Sequence, residues 1–406
     1  MKMKKILIYT ATVLLVLTAC CKHEEEEIFY ARTVLVYMSG ENDLSEGVQE
    51  DIDEMLAATT NVRNHCLLVY VDEYNNNEIP YLARIRNGLM VDSVSIRDMG
   101  ISKSDTCSVD PGVMKAVINY AFRKYPSLNS DYGLVLWGHA SGWVVEDSVA
   151  TSANSRRNAY GYDSGRDNNG KSAWINMHTL AEVLSQVPHL KYIFADCCHF
   201  QTLESLYELR NVADYIIGSP AEIPGPGAPY TTVVPALFES DSFYTSIVDR
   251  YYEQVFNSIK RVPLSVVKTS ALSALAQATK NVLQSMKDTL TQTPYPDVTS
   301  LIHYYYSPLF NDANDFILKY ANPEAYVTWK QALDEAVVYK KMATRWMTNT
   351  DWTYNYSDFE MTEERYGGIS MFIPQNPSQR GRYLKYNQDI KQMEWYYAVG
   401  LSDLGW

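Results

Sequence analysis

The chain of 406 residues is 46% apolar, which excludes wholesale disorder, and its length admits two or three domains or one large α/β unit with insertions. A formal net charge of −13 argues against a general nucleic-acid binder, so no nucleic-acid partner is expected. Six cysteines are too few for a disulfide-framework protein of this size.

The N-terminus carries targeting information. Lys2, Lys4 and Lys5 precede an apolar run from Ile6 to Leu17. The run is too short and wrongly flanked for a stable membrane span, so residues 1–19 read as a signal peptide. It closes on Leu17-Thr18-Ala19-Cys20, which resembles a bacterial lipobox. By that resemblance Cys20 is lipidated and becomes the first residue of the mature chain. Loss of residues 1–19 removes three lysines and no acid, which takes the charge from −13 to −16. Residues 20–31 form an acidic tether containing Glu24 to Glu27. An acidic run after a lipidated Cys resembles the surface-export signal of some Gram-negative lipoproteins. The expected location is the outer membrane through a lipid anchor, either facing the cell surface or the periplasm.

The first buried strand is Thr33 to Met38, followed by turn residues Ser39 to Asp43. Leu44 to Leu56 has helical apolar spacing. Cys66 to Val71 is a second strand, and Leu82–Arg86 and Leu89–Val94 flank an Asn87-Gly88 hairpin turn. Asp110-Pro111-Gly112 opens a helix that runs to about Arg123. A third strand spans Gly133 to Trp137, and a polar stretch from Asp147 to Ser172 reads as a long loop. A helix from Met177 to Gln186 leads to a fourth strand, Tyr192 to Ala195. A helix from Thr202 to Arg210, a strand from Tyr215 to Gly218 and a Gly- and Pro-rich stretch from Pro220 to Pro229 follow. Such alternation predicts a mostly parallel sheet with helices on both faces. Beyond residue 235 the pattern is mainly helical, with one strand at Leu264–Lys268, helix across 274–350 and a last strand from Gly368 to Pro374. The domains expected are a core over 32–270 and a mainly helical C-terminal region over 271–406.

In a parallel α/β sheet, ligands sit beyond the carboxyl ends of the strands. His139 follows the third strand and Cys198 the fourth. If the strands are neighbours, the two side chains emerge together, and an imidazole can take the thiol proton and return it to a leaving amine. Other readings are a buried structural Cys with a structural His, or metal ligation by Cys197, Cys198 and His199. Consecutive ligands chelate zinc poorly and no second Cys/His pair has finger-like spacing, so no metal site is expected. Gly138-His139-Ala140-Ser141-Gly142 places its Ser one residue late for a serine-hydrolase elbow.

Leu136-Trp137-Gly138-His139-Ala140-Ser141-Gly142-Trp143 resembles the His block of the clostripain-like cysteine peptidases. Asp196-Cys197-Cys198, followed by Glu204 and Tyr207-Glu208-Leu209, is similar to their nucleophile block. Val36 to Leu44, Tyr162-Asp163, Pro224-Gly225-Pro226-Gly227 with Tyr230, and Gly368 to Pro374 are similar to further blocks in the same order. The resemblance implies a caspase-like α/β/α sandwich with a mostly parallel central sheet. It implies Cys198 as nucleophile, His139 as general base, and an oxyanion hole from the N–H groups of Ala140 and Cys198. Asp196 matches an acid associated with Arg or Lys at P1; residues i and i+2 of an extended segment point to one side. Its alternative is a helix N-cap.

Two residues depart from the pattern: Ala140 stands where the family usually has Gly, and Cys197 where it has Ala. Some members cut themselves in the loop between His and Cys, where Arg156, Arg157, Arg166 and Lys171 are candidates here. Some depend on calcium; Asp163 and Asp167 are scattered acids without an EF-hand spacing, so no cofactor is required by sequence. The expected function is a cysteine endopeptidase that cuts peptides or proteins after Arg or Lys through a Cys–His dyad. The alternative is a catalytically inactive surface lipoprotein that binds peptide or glycan through the Tyr-rich region around Tyr304-Tyr305-Tyr306. Pairing of Cys66 with Cys107 stays open.

Overall fold

The computed structural model describes residues 29–406 except 60–63, 75–78, 102–106, 146–159, 166–171, 257–260, 292–294, 306–308, 348–353, 357–360, 377 and 379–381. The signal segment, Cys20, the four glutamates, Asp167 and the loop residues Arg156, Arg157, Arg166 and Lys171 lie outside the described residues.

In chain order the elements are β1 (Thr33–Gly40), α1 (Ser45–Ala58), β2 (Cys66–Glu73), β3 (Tyr81–Arg86), β4 (Leu89–Ser95), α2 (Pro111–Lys124) and β5 (Tyr132–Trp137). Then come β6 (Tyr160–Asp163), β7 (Ala173–Ile175), α3 (Met177–Leu184), β8 (Leu190–Asp196), α4 (Leu203–Glu208), β9 (Ala213–Gly218), α5 (Tyr230–Leu237), α6 (Phe243–Glu253) and β10 (Leu264–Lys268). The C-terminal part adds α7 (Leu272–Ser285), α8 (Lys287–Thr291), β11 (Asn311–Asp312), α9 (Ala313–Tyr320), α10 (Pro323–Ala336), β12 (Val337–Lys341), β13 (Arg345–Met347), β14 (Tyr354–Tyr356), β15 (Ser370–Met371), α11 (Arg382–Asp389) and α12 (Glu394–Ala398).

Nine strands form one sheet in the order β12-β10-β9-β8-β5-β1-β2-β3-β4. The pairings from β9 through β2 are parallel, and antiparallel strands close both edges. The central strands are buried on both faces, which is why they read as unbroken apolar runs. Along β1, Val34, Val36 and Met38 meet Val48, Ile52 and Met55 of α1 and the apolar residues of α5 and α6. Leu35 and Tyr37 face the other way, into the core built with α2, α3, α4 and α7. That alternation sets helices on both sides of the sheet. The α2 start follows its sequence signal: Asp110 Oδ1 accepts from the N–H groups of Gly112 and Val113 at 2.8 and 2.9 Å. Among the described residues no helix is long and apolar enough to cross a membrane.

Three expectations change. The 274–350 stretch is not helical throughout. Its Val337–Lys341 segment is the antiparallel edge strand beside β10, and β13 pairs with β14. The polar loop from Asp147 to Ser172 contains β6, which pairs with β7. The late strand from Gly368 to Pro374 is shorter than expected, because only Ser370 and Met371 pair, with Asp312 and Asn311. The next N–H, that of Phe372, donates to Glu204 Oε1 at 2.7 Å instead of to a strand. Cys66 and Cys107 are both buried free thiols.

Candidate active site

The chain enters β2 on one side of β1 and later β5 on the other, so the strand order reverses at β1. A crevice opens at such a point beyond the carboxyl ends of the strands. The last residues of β5 and β8, Trp137 and Asp196, are register partners. The segments leaving those two strands carry His139 and Cys198 into one cleft of about 650 Å³, which Asp43, Asp196, Glu222 and Phe310 also line.

His139 Nε2 lies 2.8 Å from Asp43 Oδ1, and its side chain is 39% exposed. Its carbonyl accepts the Gly161 N–H at 2.7 Å, so β6 braces the loop, and Tyr162 packs edge-on at 6.4 Å. Ala140 has no left-handed backbone, so a methyl group where the family has Gly brings no strain of that kind. Gly142 does need to be Gly. Its φ is +63°, and a Cβ there would stand 2.7 Å from the His199 carbonyl.

Cys198 is half-buried, and its sulfur is gripped by one residue of the facing loop. The Ile223 N–H donates to Sγ at 3.3 Å, and Sγ lies 3.8 Å from the Ile223 carbonyl. Burial and then the Glu222 charge push the thiol up to about 12, against the Ile223 N–H. His139 and Cys198 are thus each held by another group and are not hydrogen-bonded to each other. Cys197 is buried in the apolar core beneath, and burial raises its thiol as well, so it is inert.

Asp196 is 5% exposed. Its Oδ2 accepts from the Ala228 N–H at 3.1 Å and the Tyr230 hydroxyl at 3.0 Å, and its Oδ1 from the Tyr251 hydroxyl at 3.0 Å. Burial pushes the carboxyl up to about 6 against these donors. None of them belongs to the start of α4, whose N-cap is Thr202, so the N-cap reading of Asp196 does not hold. The Gly-Pro stretch explains itself here: Gly227 has φ +61°, and a Cβ would sit 3.0 Å from Asp196 Oδ2.

His199 does not join the cysteines as a ligand. It is 3% exposed, has φ +52°, points Nδ1 at the Pro220 carbonyl at 3.0 Å and stacks on Phe310 at 4.5 Å. Asp163 instead gathers with Glu41 and Asp72, three buried carboxylates whose oxygens lie within 4.8 Å of one another. Asp72 and Asp163 both accept the Ser108 N–H, and an acidic cluster by itself identifies no ion.

Sequence reasoning missed Asp43, Glu222, Ile223, Tyr305 and Phe310 as cleft residues. Asp43 carried a signal, because it closes the turn after β1 at the sheet's reversal point. Glu222 and Ile223 fell in the Gly-Pro stretch, and the two aromatics lie more than a hundred residues from Cys198.

The Clostripain family model matches residues 36–406. The chain is 32% identical to a secreted C11 cysteine protease from Bacteroides thetaiotaomicron, solved in complex with an irreversible peptide inhibitor; the match covers 92% of this chain and 99% of that one, with a TM-score of 0.73. It is 25% identical to an inactive zymogen C11 protease from Parabacteroides distasonis, over 91% of this chain and 98% of that one, with a TM-score of 0.72. No curated protein matches. The caspase-like sheet expected from sequence is therefore present, and the chain belongs to the clostripain family of cysteine peptidases.

Proposed function

We propose that the protein is an endopeptidase that cuts after Arg or Lys, with Cys198 as nucleophile and His139 as general base. The observation that carries this reading is the register of β5 against β8. It delivers His139, Cys198 and Asp196 to one cleft from neighbouring strand ends. The Bacteroides relative was solved with a peptide inhibitor, which supports a peptide or protein substrate here.

The chemistry follows from these groups. His139 takes the proton from Cys198 Sγ, and the thiolate attacks the scissile carbonyl carbon. The N–H groups of Ala140 and Cys198 make no hydrogen bond among the described residues and are available to the developing oxyanion. As the C–N bond breaks, His139 returns the proton to the leaving amine and an acyl-enzyme remains. Water, deprotonated by His139, then releases the acid and the thiol. A guanidinium or ammonium at P1 pairs with the Asp196 carboxylate. A peptide-library digest with wild type and Cys198→Ala side by side tests the reading. Cleavage after neutral residues only, or equal cleavage by both proteins, would overturn it.

The separation of His139 from Cys198 favours a second reading, a surface lipoprotein that binds peptide or glycan without turnover. A chloromethyl ketone with P1 Lys decides: no adduct on freshly reduced, fully processed protein supports the inactive reading. Self-cleavage after Arg156, Arg157, Arg166 or Lys171 is part of the proposal, and finding active enzyme only as uncut chain would refute it. Lipidation at Cys20 and an outer-membrane location complete it. Radiolabelled palmitate should enter wild type and not Cys20→Ala, and the wild type should fractionate with the outer membrane.

A further inference from the structure

Glu222 precedes the Ile223 backbone that grips Cys198, and it is 6% exposed. Its backbone is fixed by an antiparallel bridge to Met347. Its Oε1 is 3.8 Å from His199 Nε2, beyond hydrogen-bond reach, and Oε2 meets no donor among the described residues. His199 Nδ1 donates to the Pro220 carbonyl, which holds the ring in place, so Nε2 stays 3.8 Å from the carboxylate and gives it no hydrogen bond. A buried carboxylate oxygen without a donor is costly, and an incoming ammonium or guanidinium supplies one.

The surroundings suit a long basic side chain. Tyr305, Leu309, Phe310 and Met347 line the same cleft and offer aromatic faces and apolar edges for a methylene stem and its charged end. The place differs from that of Asp196. The Asp196 carboxylate is taken up by Ala228, Tyr230 and Tyr251.

We propose that Glu222 anchors a second basic side chain of the substrate, in a subsite beside the one at Asp196, so that substrates with two basic residues are preferred. This rests on the peptidase reading above and adds a specificity-determining residue to it.

The test uses peptides with Arg fixed at P1 and Lys or norleucine at each other position from P4 to P3′. Norleucine keeps the stem and removes the charge. Wild type should prefer Lys about tenfold at one position. Glu222→Gln should erase that preference, and Glu222→Asp should restore part of it, which separates lost charge from lost folding. The P1 Arg-over-norleucine ratio, set by Asp196, is the internal reference. If Glu222→Gln alters only the P1 ratio, or alters no ratio, the second subsite is refuted. Binding of the same peptides to Cys198→Ala and to Cys198→Ala/Glu222→Gln, followed by calorimetry, decides the matter without turnover. A Lys preference in binding that Glu222→Gln removes upholds the subsite even if wild type cuts nothing, an outcome that sinks the peptidase reading alone.

Discussion

The two strand ends that meet in the cleft are built on opposite terms. At the β8 end Asp196, Cys197 and His199 are buried, and the 220–230 segment binds Asp196, Cys198 and His199 through backbone and side-chain groups. At the β5 end His139 stands 39% exposed between Gly138 and Gly142, and its partner Asp43 is 59% exposed. The Cys198 side is desolvated and fixed; the His139 side is solvated and adjustable. An exposed side-chain pair is worth only about 0–1 kcal/mol, so releasing His139 from Asp43 is easy. Moving a half-buried sulfur held by the Ile223 backbone is not. In the proposed mechanism, assembly of the dyad therefore falls to the His139 loop.

The largest expected effect breaks the fixed side: Cys198→Ala should lower kcat/KM by at least about 10⁴-fold, and His139→Ala by about 10²–10⁴-fold, in steady-state assays on a P1 Arg peptide. Asp196→Asn comes next, with about a hundredfold loss on P1 Arg and little on P1 norleucine. The same group makes a pH prediction. Its carboxyl lies at about 6 in the fold against an ordinary 3.8, so the folded protein holds this proton more tightly than the unfolded chain. Its contribution to stability is present at low pH and is lost as the pH rises through about 6. Asp196→Asn should thus raise Tm at pH 8, and the gain should shrink toward pH 4, while wild-type cleavage after Arg falls as the pH drops through about 6.

Cys198 sharpens the comparison. With the thiol held at about 12, alkylation by iodoacetamide should rise about tenfold per pH unit through pH 9 in the substrate-free protein. A plateau near neutral pH means that a thiolate–imidazolium pair already exists and that the two sides are not separate at rest. The smallest effect lies on the adjustable side: Asp43→Asn should quicken chloromethyl ketone labelling a few-fold, in keeping with one exposed pair.

What was legible in sequence follows the same division. The centre of the sheet could be read because burial on both faces leaves unbroken runs such as Val34 to Met38. The edge strand Val337–Lys341 could not, because it carries two lysines and only Val337 is buried, a pattern that also suits a helix end. The placement of His139 and Cys198 at neighbouring strand ends was readable, since a parallel strand announces where its carboxyl end lies. The Glu222 pocket was not, because Tyr305, Phe310 and Met347 reach it from the C-terminal region and no local spacing records that approach. The β6–β7 pair was hidden for a related reason: β6 lies within a polar loop and is tied to the distant His139 loop through the Gly161 N–H, with no apolar alternation to mark it.

The burial of Cys66, Cys107 and Cys197 has a practical consequence. Once residues 1–21 are removed, a native thiol assay has a single accessible sulfur, that of Cys198. Reagent uptake per chain then counts native, reduced Cys198 directly, and the extra equivalents released by denaturant give an internal standard for total protein. The fraction of a preparation that is folded with Cys198 reduced can be measured before any substrate is known.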